Sequence, residues 1–506
     1  MRLSIASLLI TFFLATPSCW AQLSESEVQA LGFESAWRSK LQIPRVGRGI
    51  VSANLWVESA KPRRFAVVQL PDRVIRVSAD SLDRDGKPIG IEAAKKMAGE
   101  QASIFLGKPG STVEEIEIPQ IKLVVAASDG LVQTLDAETG KLIWSNSCGH
   151  TNAPAFPAAV SPLGVTLVQG RMLYLLDWAT GKQLQTHPLR SSTSNAVSVC
   201  NDIAFVSDYT GTISTYDLGS RHLPWTYVMS GRAVGHPVNF AGQEFCATST
   251  DRGYTYVFSG SEEPKVWFRY ETPSAITGSL SAGNNAFYVG STGGVIAKIS
   301  ADSRLGSIVW EFRSGQPITA PSLVVGNSVY VATENGDVIA IDDATGNVRW
   351  DASGYAVSTV IARAGKQLVC RTKSDQTLIL DADSGAYRAL SDSTPLSGPI
   401  MNQTSDRVYL AGVDGRIQCL RTVGAELPTL VVPFTPAEDT DENSVETTAA
   451  SASTPTNNAS SIFGTEAADP MNIFETDPLG GGSVDNPFET PPASDTPPAA
   501  DNPFDF

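Results

Sequence analysis

The chain has 506 residues, 42% apolar and 18% charged, an ordinary soluble composition that excludes a small peptide or a fibrous chain and leaves room for two to four domains or one large repeat architecture. The formal charge of -16 is uneven: residues 422–506 hold 15 Asp and Glu and no Lys or Arg, whereas the first 421 residues balance 37 basic against 38 acidic side chains. A neutral body with an acidic tail lacks the basic footprint that phosphate neutralisation requires, which excludes nucleic acid as a partner.

At the N-terminus, Met1-Arg2 is followed by an apolar run from Leu3 to Ala15, then Pro17 and the stretch Ser18-Cys19-Trp20-Ala21, which offers a small residue at the cleavage position. This pattern predicts a secretory signal over residues 1–21 and an exported mature chain, periplasmic or extracellular. Cys19 leaves a lipid-anchored N-terminus as the alternative, although Thr16-Pro17-Ser18 is a poor lipobox. No later stretch reaches the roughly 18 consecutive apolar residues of a membrane-spanning helix. The remaining cysteines, Cys148, Cys200, Cys246, Cys370 and Cys419, are odd in number and widely spaced, which predicts buried small side chains rather than a disulfide framework or a metal site.

Along the body, turn glycines recur at Gly130, Gly170, Gly211, Gly253, Gly294, Gly336 and Gly415, with Gln376 at the one position that lacks one, at spacings of 39 to 42 residues. Each lies between two short β-branched or apolar runs, such as Leu123–Ala127 with Leu131–Leu135, which predicts hairpins. Asp129-Gly130, Asn335-Gly336 and Asp414-Gly415 suit two-residue hairpin turns. A second signature follows: Asp136-Ala137-Glu138-Thr139-Gly140 leads to Trp144, and Asp342-Asp343-Ala344-Thr345-Gly346 leads to Trp350. The Asp carboxylate can accept backbone N–H groups of its own turn, the Gly takes the left-handed position, and the Trp opens the next strand as an anchor. Trp225 and Trp310 hold the same spacing and Trp267 a similar place, while the turns at Asp177 and Asp381 have no Trp after them.

Forty-residue repeats of four short strands predict an all-β, eight-bladed β-propeller with four-stranded antiparallel blades over residues 33–434. The last repeat lacks its outer strand, which the segment around Trp37 is expected to supply, with Ile50–Val57 as the next innermost strand. Residues 58–118 interrupt the pattern and read as an α/β insertion in the first blade: a hairpin, Arg64–Leu70 with Val74–Val77, and a helix near Ile91–Phe105. The insertion is the natural place for a specific contact. Residues 435–506, with 10 of the 31 prolines, predict an acidic disordered tail.

The repeats and their Asp-Thr-Gly-Trp pattern resemble the pyrroloquinoline-quinone (PQQ) repeat family over about residues 33–425. That resemblance implies either a quinoprotein dehydrogenase or a non-catalytic propeller like the BamB-like lipoproteins of outer-membrane assembly. Quinoprotein alcohol dehydrogenases carry adjacent cysteines and loops inserted between strands; this chain has no adjacent cysteines, and its regular intervals leave little room for such loops. The non-catalytic branch therefore fits better, and Trp37, Trp144, Trp225, Trp267, Trp310 and Trp350 are expected to dock blades rather than to contact a quinone.

Elsewhere, Asp83, Asp85 and Glu92 with Gly86 resemble a calcium loop, but Ser81 stands at the first ligand position and Pro88 within it, so an Asp-Gly turn before a helix is the plainer reading. His150, His187, His222 and His236 show no metal spacing. In the tail, Asn486-Pro487-Phe488 and Asn502-Pro503-Phe504 repeat one motif, a candidate docking element set against compositional drift. The expectation is a monomeric, exported protein-interaction scaffold of the cell envelope, without catalytic, cofactor or metal residues. The alternatives are a PQQ-dependent oxidoreductase and a polymer- or sugar-binding propeller, the latter to be recognised by aromatic side chains at the central channel.

Overall fold

Each repeat folds as one twisted antiparallel sheet, because its apolar runs form strands that cannot bury both faces within a single unit. The computed structural model describes residues 22–431 apart from 43–48, 71–73, 107–111, 220–223, 241, 261–262, 284, 303, 392–399 and 413–414. The stretch 1–21 read as an export signal, with Cys19, and His222, Asp414 and the acidic tail with its Asn-Pro-Phe motifs lie outside the described residues. There are eight sheets, numbered here as blades 1 to 8. Blades 2 to 7 are four-stranded in simple sequence order, running from Ala159–Ser161 in blade 2 to Tyr387–Leu390 in blade 7. The architecture is an eight-bladed β-propeller.

The ring closes across the chain's two ends. Phe33–Lys40 pairs antiparallel with Arg416–Thr422, placing Trp37 opposite Cys419, and forms the outer strand of blade 8. This blade has three strands among the described residues. In blade 1, Ile50 to Glu58 is the innermost strand, paired with Gln120–Ala127. A short helix α1 (Glu25–Ala30), closed by a Ser24–Glu27 capping box, packs Val28 with Leu23, Leu31 and Phe33 against blades 7 and 8.

The middle strands are buried on both faces: all six residues of Leu131–Asp136 and all six of Gly164–Gln169 are buried. The outer strands bury far less, as in Leu142–Ser147, where Trp144 is the buried residue. The core is accordingly divided among the blade interfaces. One apolar cluster spans each neighbouring pair, including blades 8 and 1, where Trp37, Tyr409 and Ile417 meet Ile121, Leu123 and Leu135. All five described cysteines are buried and unpaired. Among the described residues, no helix is long and apolar enough to cross a membrane.

Two turn expectations are corrected. Asn335-Gly336 lies in a three-residue loop, since Thr333 N–H donates to Asp337 O at 2.9 Å and Gly336 N–H to Thr333 O at 2.9 Å. Only the Gly is left-handed there, with φ of +97°, so the preceding Asn needs no special conformation. Asp129-Gly130 likewise closes a loop longer than two residues, with Gly130 N–H donating to Ala127 O. A two-residue loop occurs at Gly170-Arg171, flanked by the pair Gln169 and Met172. In blade 7 the left-handed position is held by Asp375, φ +62°, not by Gln376. The Arg371 guanidinium pairs with the Asp375 carboxylate.

Candidate functional site

The recurrent Asp builds its turn in the expected way. Asp136 Oδ1 accepts the N–H groups of Glu138 (3.1 Å) and Thr139 (2.9 Å) and the Thr139 hydroxyl (2.8 Å), and Asp177, Asp342 and Asp381 repeat the arrangement. The Arg349 guanidinium and the Thr345 bonds hold the Asp342 carboxyl down to about 2, and Arg388 lowers Asp381 in the same manner. These turns present a carbonyl and a glycine to the preceding blade. Trp37 Nε1 donates to Ala137 O (2.9 Å), Trp144 to Trp178 O (3.0 Å), Trp310 to Asp343 O (2.8 Å) and Trp350 to Ala382 O (3.0 Å). Each acceptor is the residue after the turn Asp, and each of the four rings lies where a Cβ on the turn glycine would sit, at Gly140, Gly181, Gly346 and Gly385. The indole thus reads the next blade's turn by one hydrogen bond and one surface that only glycine leaves open.

The other two tryptophans differ. Strand register in blade 4 puts Phe268 at the anchor position, where it fills the space beside Gly306, while Trp267 stands on the adjoining bulge. Trp267 still reaches across, its Nε1 lying 3.3 Å from Ala301 O. Trp225 precedes its strand and packs edge-on against Phe258 of blade 4, with ring centroids 6.0 Å apart. One anchor escapes a search for tryptophan: Gln185 occupies the register position in blade 2 and sends its amide to Leu218 O at 2.9 Å.

The inserted segment stands on the face of the ring that carries the Asp turns. The first blade's inner strand runs on as far as Gln69; Arg63–Val67 pairs with Glu114–Ile118, and Phe65–Gln69 with Val74–Ser78. Helix α2 (Gly90–Leu106) lays Ala94, Ala98 and Ala102, four residues apart and fully buried, onto Ala66, Val68, Ile75 and Val77. Away from that face it exposes Ile104 (78%) and Met97 (41%). Arg63 clamps the insertion to the ring through Asp136 at 2.6 Å, and Arg76 donates to Glu426 O at 2.8 Å. Beneath lies the nearly inaccessible Arg407, bonded to Glu138 (3.2 Å) and Glu426 O (3.1 Å). Burial pushes the Glu138 carboxyl up, against the pull of Arg407. In the loop before α2, Asp83 Oδ1 accepts the N–H groups of Asp85 and Lys87, both at 2.9 Å, and Glu92 faces Lys95, so these carboxylates serve the turn and the helix start.

The central channel encloses about 790 Å³. Its described lining holds Ser, Thr, Asn, Gln, one His and small or apolar side chains, with no Asp, Glu, Lys or Arg. Pyrroloquinoline quinone is a tricarboxylate that needs cationic partners, and in quinoproteins it acts with a divalent cation that needs carboxylates. The residues present do not fit it. Among the described residues no group of three or more His, Cys, Asp or Glu is placed to hold a metal. The surrounding channel walls lower the pKa of His236 by desolvation.

Comparison with known proteins agrees with this geometry. The family described as outer membrane protein assembly factor BamB matches residues 106–204, 128–243 and 260–430, more than half of the chain, and the inserted hairpin and nearly all of α2 precede those matches. The outer membrane protein assembly factor BamB of Yersinia pestis is 24% identical over 270 residues, covering 51% of this chain and 60% of that protein. The corresponding protein of Moranella endobia is 22% identical over 353 residues, covering 63% and 79%. The crystal structure of BamB from Moraxella catarrhalis aligns with a TM-score of 0.49 at 17% identity, covering 59% of this chain and 93% of that one. With its repeats matched from blade 1 through blade 8, the chain belongs to the PQQ-repeat propeller family described as outer membrane protein assembly factor BamB.

Proposed function

We propose that this protein is a non-catalytic scaffold of outer-membrane protein assembly, exported to the cell envelope and binding a protein partner of that process. The observation that carries the reading is helix α2: its alanine face is spent on the inserted hairpin, so Met97 and Ile104 are held away from that face on a rigid support. Apolar side chains held in this way are the raw material of an interface anchor. The ring supplies rigidity through its anchors, and the Arg63–Asp136 bridge transmits it to the insertion. Similarity to outer membrane protein assembly factors supports the process.

The test is a photo-activated cross-linker placed at position 104 of the full chain in intact envelopes, with a second at the exposed Leu305 of blade 5 as control. The reading expects a discrete adduct with an outer-membrane assembly component from position 104 and none from 305. Adducts of equal abundance from both positions, or none from 104, refute the use of this face.

A further inference from the structure

Two of the buried thiols share one blade interface. Cys200 ends the inner strand of blade 3, Ser198–Cys200, and Cys246 lies in the second strand of blade 4, Phe245–Thr250. Side chains alternate along a strand, and both alternations aim the sulfur into the gap between these blades. Val199 packs towards blade 2 and Cys200 towards blade 4, while Phe245 and Ala247 pack towards blade 5 and Cys246 towards blade 3. Asn239, opposite Cys246 in its sheet, accepts the Ser198 hydroxyl at 2.9 Å and donates to Val199 O, which pins the two strands at the level of the thiols. On its other side Cys246 pairs with Phe258, and two residues further Gly260 lies so close to Cys200 that an added Cβ would stand 2.8 Å from Cys200 Cβ. Both thiols are fully buried and interact directly. Cys148, Cys370 and Cys419 each occupy a separate cluster without a second cysteine.

We propose that Cys200 and Cys246 close a disulfide that ties blade 3 to blade 4 as the chain folds in an oxidising compartment. The compartment, though not the pairing, rests on the export proposed above. Extracytoplasmic spaces hold such pairs oxidised, whereas the cytosol keeps them as thiols. The reaction is thiol–disulfide exchange, with a small-molecule or protein disulfide as the oxidant. One cysteine thiolate attacks that disulfide to give a mixed disulfide and release one thiol, and the second cysteine then displaces the other; the S–S bond forms, and the oxidant leaves as two thiols carrying the two electrons and two protons. Burial pushes the Cys200 thiol well up, so thiolate is scarce once the blades have docked and exchange belongs to the folding chain. The bond closes the loop that runs through the rest of blade 3, which restricts the unfolded chain and stabilises the ring.

The test is refolding of the mature full chain from denaturant in reduced and oxidised glutathione, then unfolding without reductant, alkylation with iodoacetamide and peptide mass analysis. Of the five described cysteines, Cys200 and Cys246 are expected to escape alkylation and to appear as one linked pair of peptides that dithiothreitol separates. Alkylation of all five, or a linked pair that includes Cys148, Cys370 or Cys419, overturns the proposal. Stability is the second reading: dithiothreitol should lower the urea midpoint of the oxidised native chain and leave that of Cys246→Ala where it was. A native midpoint that reduction does not move refutes the tie between the blades. The same alkylation of chain recovered from cells separates the two readings. A bond that forms on refolding but is missing from the cellular chain overturns export to an oxidising compartment and leaves the pairing standing.

Discussion

Replacing Gly346 by Ala tests the blade-docking arrangement at a single carbon. Gly346 has φ of +74°, and a Cβ there would stand 2.7 Å from Trp310 Cγ and 2.8 Å from Trp310 Cβ. Those atoms are the root of the side chain, so the ring cannot swing aside without moving its strand. Gly326 is the internal control: its φ is +58° and nothing lies within 4 Å of an added Cβ. Both substitutions incur the left-handed penalty of about 1–2 kcal/mol. Only Gly346→Ala adds overpacking, about 1–3 kcal/mol. Displacing the ring also breaks the 2.8 Å bond from Trp310 Nε1 to Asp343 O, about 1 kcal/mol. The expected excess over Gly326→Ala is therefore about 2–4 kcal/mol, read as a shift in urea midpoint at constant slope. Trp310→Phe should lose less than Gly346→Ala, because Asp343 O keeps the Lys298 ammonium at 3.0 Å. Equal losses at Gly346 and Gly326 would show that the Trp310 ring does not occupy the space beside Gly346 in solution.

Two further outcomes follow from the charges described above. Asp342 titrates near 2 in the folded chain, below its ordinary 3.8, so its turn contributes stability that is complete above about pH 4 and is lost as pH falls from there through 2. The stability gap between the native chain and Asp342→Asn should therefore shrink over that interval; a gap that stays constant contradicts the assignment. Titration of dialysed protein with pyrroloquinoline quinone, with and without calcium, should give no saturable binding at tens of micromolar. One-to-one binding shows that the uncharged lining has been misjudged.

Much of the fold is legible because a propeller repeats its physics. Each Asp-x-x-x-Gly turn and each paired apolar run is a local signal repeated often enough to be read against noise, and Trp37 marks the closing strand by matching Trp144 and Trp350 in kind. What the sequence conceals is set by register. Gln185 and Phe268 do an anchor's work without looking like one, because the bulge before them decides which side chain turns inward. Loop length is not legible at these turns, because Asn-Gly and Asp-Gly serve two- and three-residue loops alike and hydrogen bonding alone separates them. The insertion clamp is long-range: nothing local relates Arg63 to Asp136, or Arg407 to Glu138, 269 residues away. Trp56 is concealed within an inner strand, and its place beside Trp178 follows from the stacking of blade 2 on blade 1.

We propose that the exposed side of α2 serves outer-membrane protein assembly. The most direct test is the content of β-barrel proteins in the outer membrane of cells lacking this chain, complemented either by the native protein or by a Met97→Asp, Ile104→Asp double variant. Both substituted positions are exposed, so the variant is expected to fold and accumulate normally. The predicted result is a fall in barrel content that the native chain restores and the variant does not. Unchanged barrel content without the chain, or full restoration by the variant, contradicts the account.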